Sequence, residues 1–386
     1  MTDAFMYVNG SAGTNSTCDN NLQEFRKWNI VPRMLVDASH RNLKTTLFGV
    51  EYPSPMLLAP IGVGGIVHTD GELAVARAAK TVGVPYIMST ACSRSIEEVA
   101  EANGDGHRWY QLYWPRTNAI TLSILKRAKE NGFTALVITL DTMLLGWRPH
   151  DLETVYLPFI HGVGIQVGTS DPVFMKRFNL QPVKGERPKW PYEPKQEDAK
   201  CANGDEEAQK MSMLGKAWLG ECNSSKFKTW EELKFLKDNW DGPIVLKGIQ
   251  RVADAEKAIE IGVEGIIVSN HGGRQIDGAI ASLYALDKIC QSPTISAAQK
   301  SGKLTVLFDS GIRTGSDIIK ALALGAQGVL LGRPYMYGLT IAGEKGVEQV
   351  LRSTLADMEV TMGLAGYKNV GEIQGKRDEI LVKMDM

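Results

Sequence analysis

Residues that could carry out acid–base chemistry are concentrated in one short stretch, SNHGGRQ at residues 269–275. His271 follows a buried apolar run and precedes two glycines, a position that suits an exposed general base. Asp141 ends another apolar run, and a carboxylate beside the imidazole would raise its pKa and stabilise the imidazolium. Arg148 and Arg274 provide guanidinium groups that suit a substrate carboxylate. These residue types predict proton abstraction from a small carboxylic acid; a structural histidine and arginines paired with acids of a lid are the alternative.

A second set of residues indicates a phosphate group on the cofactor or substrate. Gly311 and Gly332 would let backbone N–H groups approach an anion, and Arg313 and Arg333 would add positive charge. The alternative is that the glycines only close turns. The glycine cluster at residues 62–65 lacks the G-x-G-x-x-G spacing, so a dinucleotide is disfavoured.

Lys247 ends a further apolar run and is the remaining cation of interest. It would hold developing negative charge, for example on a flavin ring that accepts two electrons. A structural ion pair is the alternative.

The elements that position these residues form a repeated pattern of helix, glycine and β-rich run. Four helical stretches end at Gly83, Gly132, Gly262 and Gly325, where glycine adopts the left-handed conformation that ends a helix. The runs that follow are continuous rather than alternating, which is typical of parallel strands buried on both faces. Eight such strands are predicted, at Met56–Ile61, Val84–Ser89, Arg108–Tyr113, Ala135–Asp141, Ile244–Lys247, Gly265–Asn270, Thr305–Asp309 and Gly328–Arg333.

Eight strands separated by helical segments predict an α/β fold, a (β/α)8 TIM barrel, with a doubly wound open sheet as the alternative. The polar residues fall at the carboxyl ends of the strands, where such barrels have their active sites. Thr314, three residues ahead of Asp317, predicts an N-cap for the helix after the seventh strand.

Residues 150–237 form a long insertion after the fourth strand, and its middle is rich in proline and charge. A connection of this length predicts an active-site lid with a poorly ordered centre. We therefore interpret residues 1–386 as a single barrel domain that contains the lid.

Composition excludes several classes of function. The chain has 386 residues with 43 Lys and Arg against 44 Asp and Glu, so neither a nucleic acid nor an anionic membrane is expected as the partner. The five cysteines are scattered without a C-x-x-C pair, which argues against a metal site and for reduced thiols. No secretory signal and no long apolar run is present, so we expect a cytoplasmic protein.

The stretch at 269–275 resembles the active-site signature of the FMN-dependent α-hydroxy-acid dehydrogenase/oxidase family, and the likeness extends over nearly the whole chain. Within that family the branch of the lactate 2-monooxygenases is most similar, on the motifs APIG (59–62), TLDT (139–142), GWRPHD (146–151), SDPVF (170–174) and FDSGIR (308–313).

The resemblance implies a role for each matching residue. His271 would be the catalytic base, supported by Asp141, and Tyr113 would bind the hydroxyl side of the substrate. Tyr7, Arg148 and Arg274 would bind the substrate carboxylate. The residues that would contact FMN are Ile61, Gly62, Ser89, Gln111, Thr139, Lys247, Ser269, Asp309, Gly311, Arg313, Gly332 and Arg333.

The implied activity is oxidation of a small L-2-hydroxy acid with O2. Gly62, which the resemblance places beside flavin N5, favours retention of keto acid and peroxide, which would react to give the shortened acid, CO2 and water. The alternatives are an oxidase that releases 2-keto acid and H2O2, a catalytically inactive flavin-binding protein, and a barrel that binds a phosphorylated substrate without flavin. A homo-oligomer, a tetramer or octamer, is expected from the family.

Overall fold

Eight parallel strands close into a barrel in the computed structural model, which describes residues 2–185 and 189–384. The barrel order is β10-β11-β4-β5-β6-β7-β8-β9, and two short two-stranded sheets pair β1 with β12 and β2 with β3. The strands are β1 (Trp28–Ile30), β2 (Thr45–Leu47), β3 (Val50–Tyr52), β4 (Met56–Leu58), β5 (Tyr86–Ser89), β6 (Arg108–Leu112), β7 (Leu136–Thr139), β8 (Ile244–Ile249), β9 (Gly265–Val268), β10 (Thr305–Phe308), β11 (Gly328–Leu331) and β12 (Leu381–Lys383).

Helices surround the barrel and fill the long connection after β7. They are α1 (Thr2–Asn9), α2 (Ser16–Lys27), α3 (Glu72–Val82), α4 (Ile96–Asn103), α5 (Asn118–Glu130), α6 (Pro149–Glu153), α7 (Gln166–Thr169), α8 (Pro172–Lys176), α9 (Pro194–Ala202), α10 (Glu206–Cys222), α11 (Leu233–Lys237), α12 (Val252–Ile261), α13 (Ser282–Cys290), α14 (Pro293–Lys300), α15 (Gly315–Ala323), α16 (Arg333–Leu364) and α17 (Arg377–Ile380). Short 3₁₀ helices lie at Gly64–Ile66, Pro158–His161, His271–Gly273 and Val370–Glu372.

The barrel prediction is confirmed, and each predicted strand contributes one barrel strand, β4 to β11. Most strands end earlier than predicted because their last residues turn towards the site instead of continuing the ladder. β5 ends at Ser89 as predicted, and β8 continues beyond its predicted end to Ile249, through an irregularity after Lys247 where Gly248 adopts a φ of 109°.

The helix ends also agree with the sequence. All four glycines predicted to end helices have positive φ. Thr314 caps α15: its hydroxyl accepts a hydrogen bond from the backbone N–H of Asp317, whose carboxylate accepts from the N–H of Thr314. These contacts satisfy backbone groups that a helix end would otherwise leave exposed.

Alternate residues of the barrel strands enter two different clusters, as the twofold repeat of a strand requires. One set, which includes Leu57, Val245 and Leu330, packs inside the barrel, where β2 and β3 contribute Leu47 and Tyr52. The other set packs against the surrounding helices in the main core. A filled interior leaves only the carboxyl ends of the strands available for a site.

The insertion is mainly helical and contains α6 to α11. α9 occupies Pro194–Ala202, so this part of the centre is more regular than its composition predicts. Tyr192, just before α9, is buried, and its hydroxyl lies 2.6 Å from Nδ1 of His161. This contact holds the segment before α9 against the rest of the insertion. Among the described residues, no helix is long and apolar enough to cross a membrane.

Candidate active site

A cavity of about 1250 Å³, including its open mouth, lies at the carboxyl ends of the barrel strands. Predicted site residues make up much of its wall: Tyr7, Ile61, Gly62, Tyr113, Arg148, Lys247, His271, Arg274, Asp309, Gly311, Arg313, Gly332 and Arg333. The other predicted residues lie behind the cavity wall. They are hydrogen-bonded to each other or to residues that line the cavity: Ser89, Gln111, Thr139, Asp141 and Ser269.

His271 and Asp141 lie together, as the sequence suggests, and are hydrogen-bonded. His271 Nδ1 lies 2.9 Å from Asp141 Oδ1, and the imidazole is presented by a backbone with a φ of 59°, which is unusual for a residue other than glycine. The backbone N–H of His271 donates to Ser269 Oγ at 3.0 Å, which fixes this turn. Because Nδ1 faces the carboxylate, Nε2 is the ring nitrogen available to a substrate.

The pair is buried and strongly polarised. Burial raises the pKa of Asp141, but the positive charges of His271 and Lys247 outweigh it and lower the pKa to about 2. For His271, burial lowers the pKa below its ordinary value although Asp141 raises it. The sequence suggested a net increase from Asp141, and the net direction is the opposite because desolvation is the larger effect. His271 is therefore a neutral base at pH 7.

Lys247 lies at the floor of the cavity between two oxygen partners. Its Nζ is 3.1 Å from Ser269 Oγ and 3.3 Å from Asp309 Oδ2. Burial favours the neutral amine, but the carboxylates of Asp309 and Asp141 raise the pKa of Lys247 above its ordinary value. A charged ammonium in this position can both pair with Asp309 and face negative charge in the cavity.

Side chains from β5, β6 and β7 form one chain of hydrogen bonds beneath the cavity. Ser89 Oγ donates to Gln111 Oε1 at 3.1 Å, and Gln111 Nε2 donates to Thr139 Oγ1 at 2.9 Å. The chain is buried, and each amide and hydroxyl in it has an ordered partner. It presents a polar floor of fixed geometry.

Two arginines and two tyrosines surround the histidine. Arg148 Nε donates to the backbone oxygen of Arg274 at 2.9 Å, and both side chains line the cavity. Arg274 lies over the ring of Tyr7, 5.3 Å from its centroid, and burial and its cationic neighbours lower the pKa of Arg274 to about 9. Burial raises the pKa of Tyr113, so that its hydroxyl remains a hydrogen-bond donor.

The opposite end of the cavity carries Arg313, Arg333 and the start of α16. Gly332 is the N-cap residue of α16, and within the described residues no side chain caps this helix, so its first N–H groups can face an anion. Arg333 also donates to the backbone oxygens of Val8 and Gly272, at 3.1 and 3.0 Å, which ties the N-terminal segment to the site.

These groups fit FMN. The cationic end and the uncapped helix start suit its phosphate, and Lys247 suits negative charge on the ring. No cluster of histidine, cysteine and acidic residues among the described residues could hold a metal ion.

Sequence reasoning missed three residues of the site. Thr142 lies against both His271 and Asp141, and Gln275 Nε2 donates to the backbone oxygen of Asp141 at 2.7 Å. Both stand within recognised motifs, so the signal was present. Asn223, at the end of α10, also lines the cavity, and nothing in its local sequence indicates this.

Comparisons with known proteins agree with this site. A family model described as FMN-dependent dehydrogenase matches residues 1–379. The FMN-dependent alpha-hydroxy acid dehydrogenase qulF of Penicillium citrinum is 47% identical over 369 residues, which cover 96% of this chain and 84% of that protein. The L-lactate oxidase of Lysinibacillus sphaericus is 40% identical over 381 residues, 99% of this chain and 89% of that protein. A structure of mandelate oxidase with (S)-4-hydroxymandelic acid covers 99% of this chain and 94% of that one, with a TM-score of 0.78 and 34% identity.

The closed parallel barrel, the cavity at the carboxyl ends of its strands and the family match define a flavin-dependent oxidoreductase. The chain belongs to the FMN-dependent α-hydroxy-acid dehydrogenase/oxidase family, and its cofactor is FMN.

Proposed function

We propose that the protein oxidises a small L-2-hydroxy acid of the L-lactate type with O2 and decarboxylates the product in the same cavity. L-lactate and O2 would give acetate, CO2 and water. Oxidation of an α-hydroxy acid follows from the family; the small side chain, O2 and the decarboxylation are what this proposal adds. The observation that carries it is the His271–Asp141 pair beside Arg148 and Arg274 in one enclosed cavity.

His271 is assigned the role of base at Nε2. Asp141 is ionised at neutral pH and can only accept hydrogen bonds, so the proton of the neutral imidazole is held at Nδ1. Nε2 then carries the lone pair that takes a proton from the substrate, and the carboxylate 2.9 Å from Nδ1 stabilises the imidazolium that forms. FMN, when bound, accepts the two electrons of the oxidation.

Arg148 and Arg274 are assigned to the substrate carboxylate. Two planar guanidinium groups side by side orient a carboxylate better than ammonium groups would, because each offers a fixed fork of N–H donors. Tyr113 and Tyr7 line the same wall, and a protonated Tyr113 hydroxyl can donate to a substrate oxygen. This arrangement holds the substrate with its reacting carbon near His271.

Two features support retention of the product. Gly62 carries no side chain at the cavity wall, and the insertion contributes Phe159, Trp218 and Leu219 to the same wall. A cavity enclosed by the insertion keeps keto acid and peroxide together long enough to react. The role of residues 150–237 as a lid is part of this proposal.

The products of L-lactate turnover in air test the proposal. We expect acetate and CO2 in amounts equal to the O2 consumed, and the acetate yield should not change when catalase is added. Catalase is the control because free peroxide also decarboxylates pyruvate in solution. Pyruvate and peroxide in stoichiometric amounts, or acetate that catalase suppresses, would contradict decarboxylation in the cavity.

The second candidate is an oxidase that releases 2-keto acid and H2O2. It is favoured by the similarity to proteins named L-lactate oxidase and mandelate oxidase. A panel of 2-hydroxy acids that bleach the flavin in the absence of O2 would identify the accepted side chain before products are measured. The expected homo-oligomer remains a prediction, which sedimentation of the FMN-bound protein tests.

A further inference from the structure

We propose that Thr142 is a positioning residue for His271, and that Asn223 at the end of α10 holds Thr142 in place. The insertion would thereby set the orientation of the base. The inference rests on the proposed function only in taking His271 as the base of the reaction.

The hydroxyl of Thr142 lies beside the hydrogen bond between His271 and Asp141, within reach of both groups. Its Oγ1 donates to Asp141 Oδ1 at 3.0 Å and lies 3.1 Å from His271 Nδ1. Since that hydroxyl proton goes to Asp141, the lone pairs of Oγ1 remain for the Nδ1–H group. The N–H of the imidazole is therefore shared between a carboxylate oxygen and a hydroxyl oxygen.

The second acceptor has a geometric consequence. A ring held only by the bond from Nδ1 to Asp141 can swing about that bond, which moves Nε2 in the cavity. A contact from Nδ1 to Thr142 Oγ1 as well restricts this freedom, because the shared N–H must then point between the two acceptor oxygens. Catalysis by a base depends on such orientation, since a small displacement of the accepting atom lowers the rate.

Asn223 connects this triad to the insertion. Its Nδ2 donates to the backbone oxygen of Thr142 at 2.8 Å, and the N–H of Ser225 donates to the oxygen of Met143 at 3.1 Å. The end of α10 thus holds two consecutive residues of the loop after β7. Thr142 is itself buried, with 3% of its surface exposed.

The other side of the same loop is fixed independently of the insertion. Gln275 Nε2 donates to the backbone oxygens of Asp141 and Leu144, at 2.7 and 2.8 Å. Because Gln275 follows β9, these bonds would persist if α10 moved. The hydrogen bond from Asn223 to Thr142, with the neighbouring bond from Ser225 to Met143, is therefore the connection through which a movement of the insertion would reach Thr142.

A pair of variants tests the hydroxyl of Thr142. T142V keeps the shape of the side chain and removes the hydroxyl, whereas T142S keeps the hydroxyl. We expect anaerobic flavin reduction by L-lactate to fall about tenfold in T142V, the effect of one net hydrogen bond, with little change in substrate KM. T142S should restore most of the rate. Equal rates in T142V and the wild type, or equal losses in T142V and T142S, would overturn the proposal.

Nitrogen-15 NMR gives a readout that does not depend on turnover. The chain has six histidines, so selective labelling is tractable, and H271Q identifies the signal. We expect the wild-type ring to be protonated at Nδ1 at neutral pH, and T142V to keep this tautomer, which Asp141 sets, but to titrate at a lower pH because the imidazolium loses one acceptor of its Nδ1–H. An unchanged titration of the His271 signal in T142V would contradict a positioning role, even if the rate fell.

A double-mutant cycle tests whether Asn223 acts through Thr142. N223A should lower the reduction rate in the wild type but have little further effect in T142V, because contacting residues are not additive. N203A is the matched control: it removes an exposed asparagine at the end of α9 in the same insertion. Additive effects of N223A and T142V would show that Asn223 does not act through Thr142.

The outcomes separate this inference from the proposed function. If no 2-hydroxy acid reduces the wild-type flavin, the proposed function fails. If the wild type is reduced and T142V behaves identically, only the positioning role fails. Should T142V not fold, the titration of the His271 signal in N223A decides, and an unaltered titration there overturns the proposal.

Discussion

At the scale of single residues, the burial of His271 decides how the site responds to pH. Burial lowers its pKa below the ordinary value of 6.5, so the base is neutral and active above that pKa and inactive below it. We expect the rate of anaerobic flavin reduction to rise with pH through a midpoint below 6.5 and then to remain level. Stopped-flow reduction between pH 4.5 and 8 measures this, and a midpoint well above 6.5 would contradict the assignment.

The base itself is tested by removal of the imidazole. H271A should retain the FMN spectrum, because none of the described residues assigned to FMN is hydrogen-bonded to this imidazole. The rate of flavin reduction should fall at least a hundredfold. Reduction at nearly the wild-type rate would show that another group takes the proton.

At the scale of elements, the loop after β4 explains why residue 62 is glycine. A Cβ on Gly62 would lie 2.3 Å from the backbone oxygen of Ala91, whose position is fixed by the N–H of Val63 at 2.9 Å. We expect G62A to lower the free energy of unfolding by about 1–3 kcal/mol through this overlap. G220A, inside α10 with open space around it, is the control and should be neutral or stabilising. Urea denaturation of both variants measures the difference.

The elements also show how far sequence could reach. The eight barrel strands were predictable because buried parallel strands are continuous apolar runs and the helices before four of them end in glycine. The short strands β1, β2, β3 and β12 were not, since three residues carry too weak a pattern. α9 was missed because its helix is polar and its contacts come from distant segments.

The same reasoning explains which residues of the site could be predicted from the sequence. Residues such as His271 and Lys247 were found because they stand at or just beyond the carboxyl ends of strands, where position alone implies the cavity. Asn223 could not be found, because its role depends on where α10 ends relative to the loop after β7. The direction of the pKa shift of His271 was predicted wrongly, because the burial of a side chain is a property of the folded chain.

At the scale of the whole molecule, FMN should stabilise the fold by mass action. A ligand that binds only the folded state, at a hundred times its Kd, contributes about 2.7 kcal/mol. We expect Tm to rise by several degrees when FMN is added to protein from which it has been removed. Scanning fluorimetry measures this change. Riboflavin, which lacks the phosphate, is the control and should shift Tm less, since it leaves the start of α16 and Arg313 without an anion. An equal shift would show that the phosphate end is not used.

The order of strands in the barrel also constrains how the chain is made. β4 is hydrogen-bonded to β11, so the first and last barrel strands are neighbours in space although they lie at opposite ends of the barrel sequence. During synthesis on the ribosome, one edge of β4 stays unpaired until β11 has emerged. The nascent protein therefore carries an open edge for most of its translation, and this is the period in which it would most depend on chaperones.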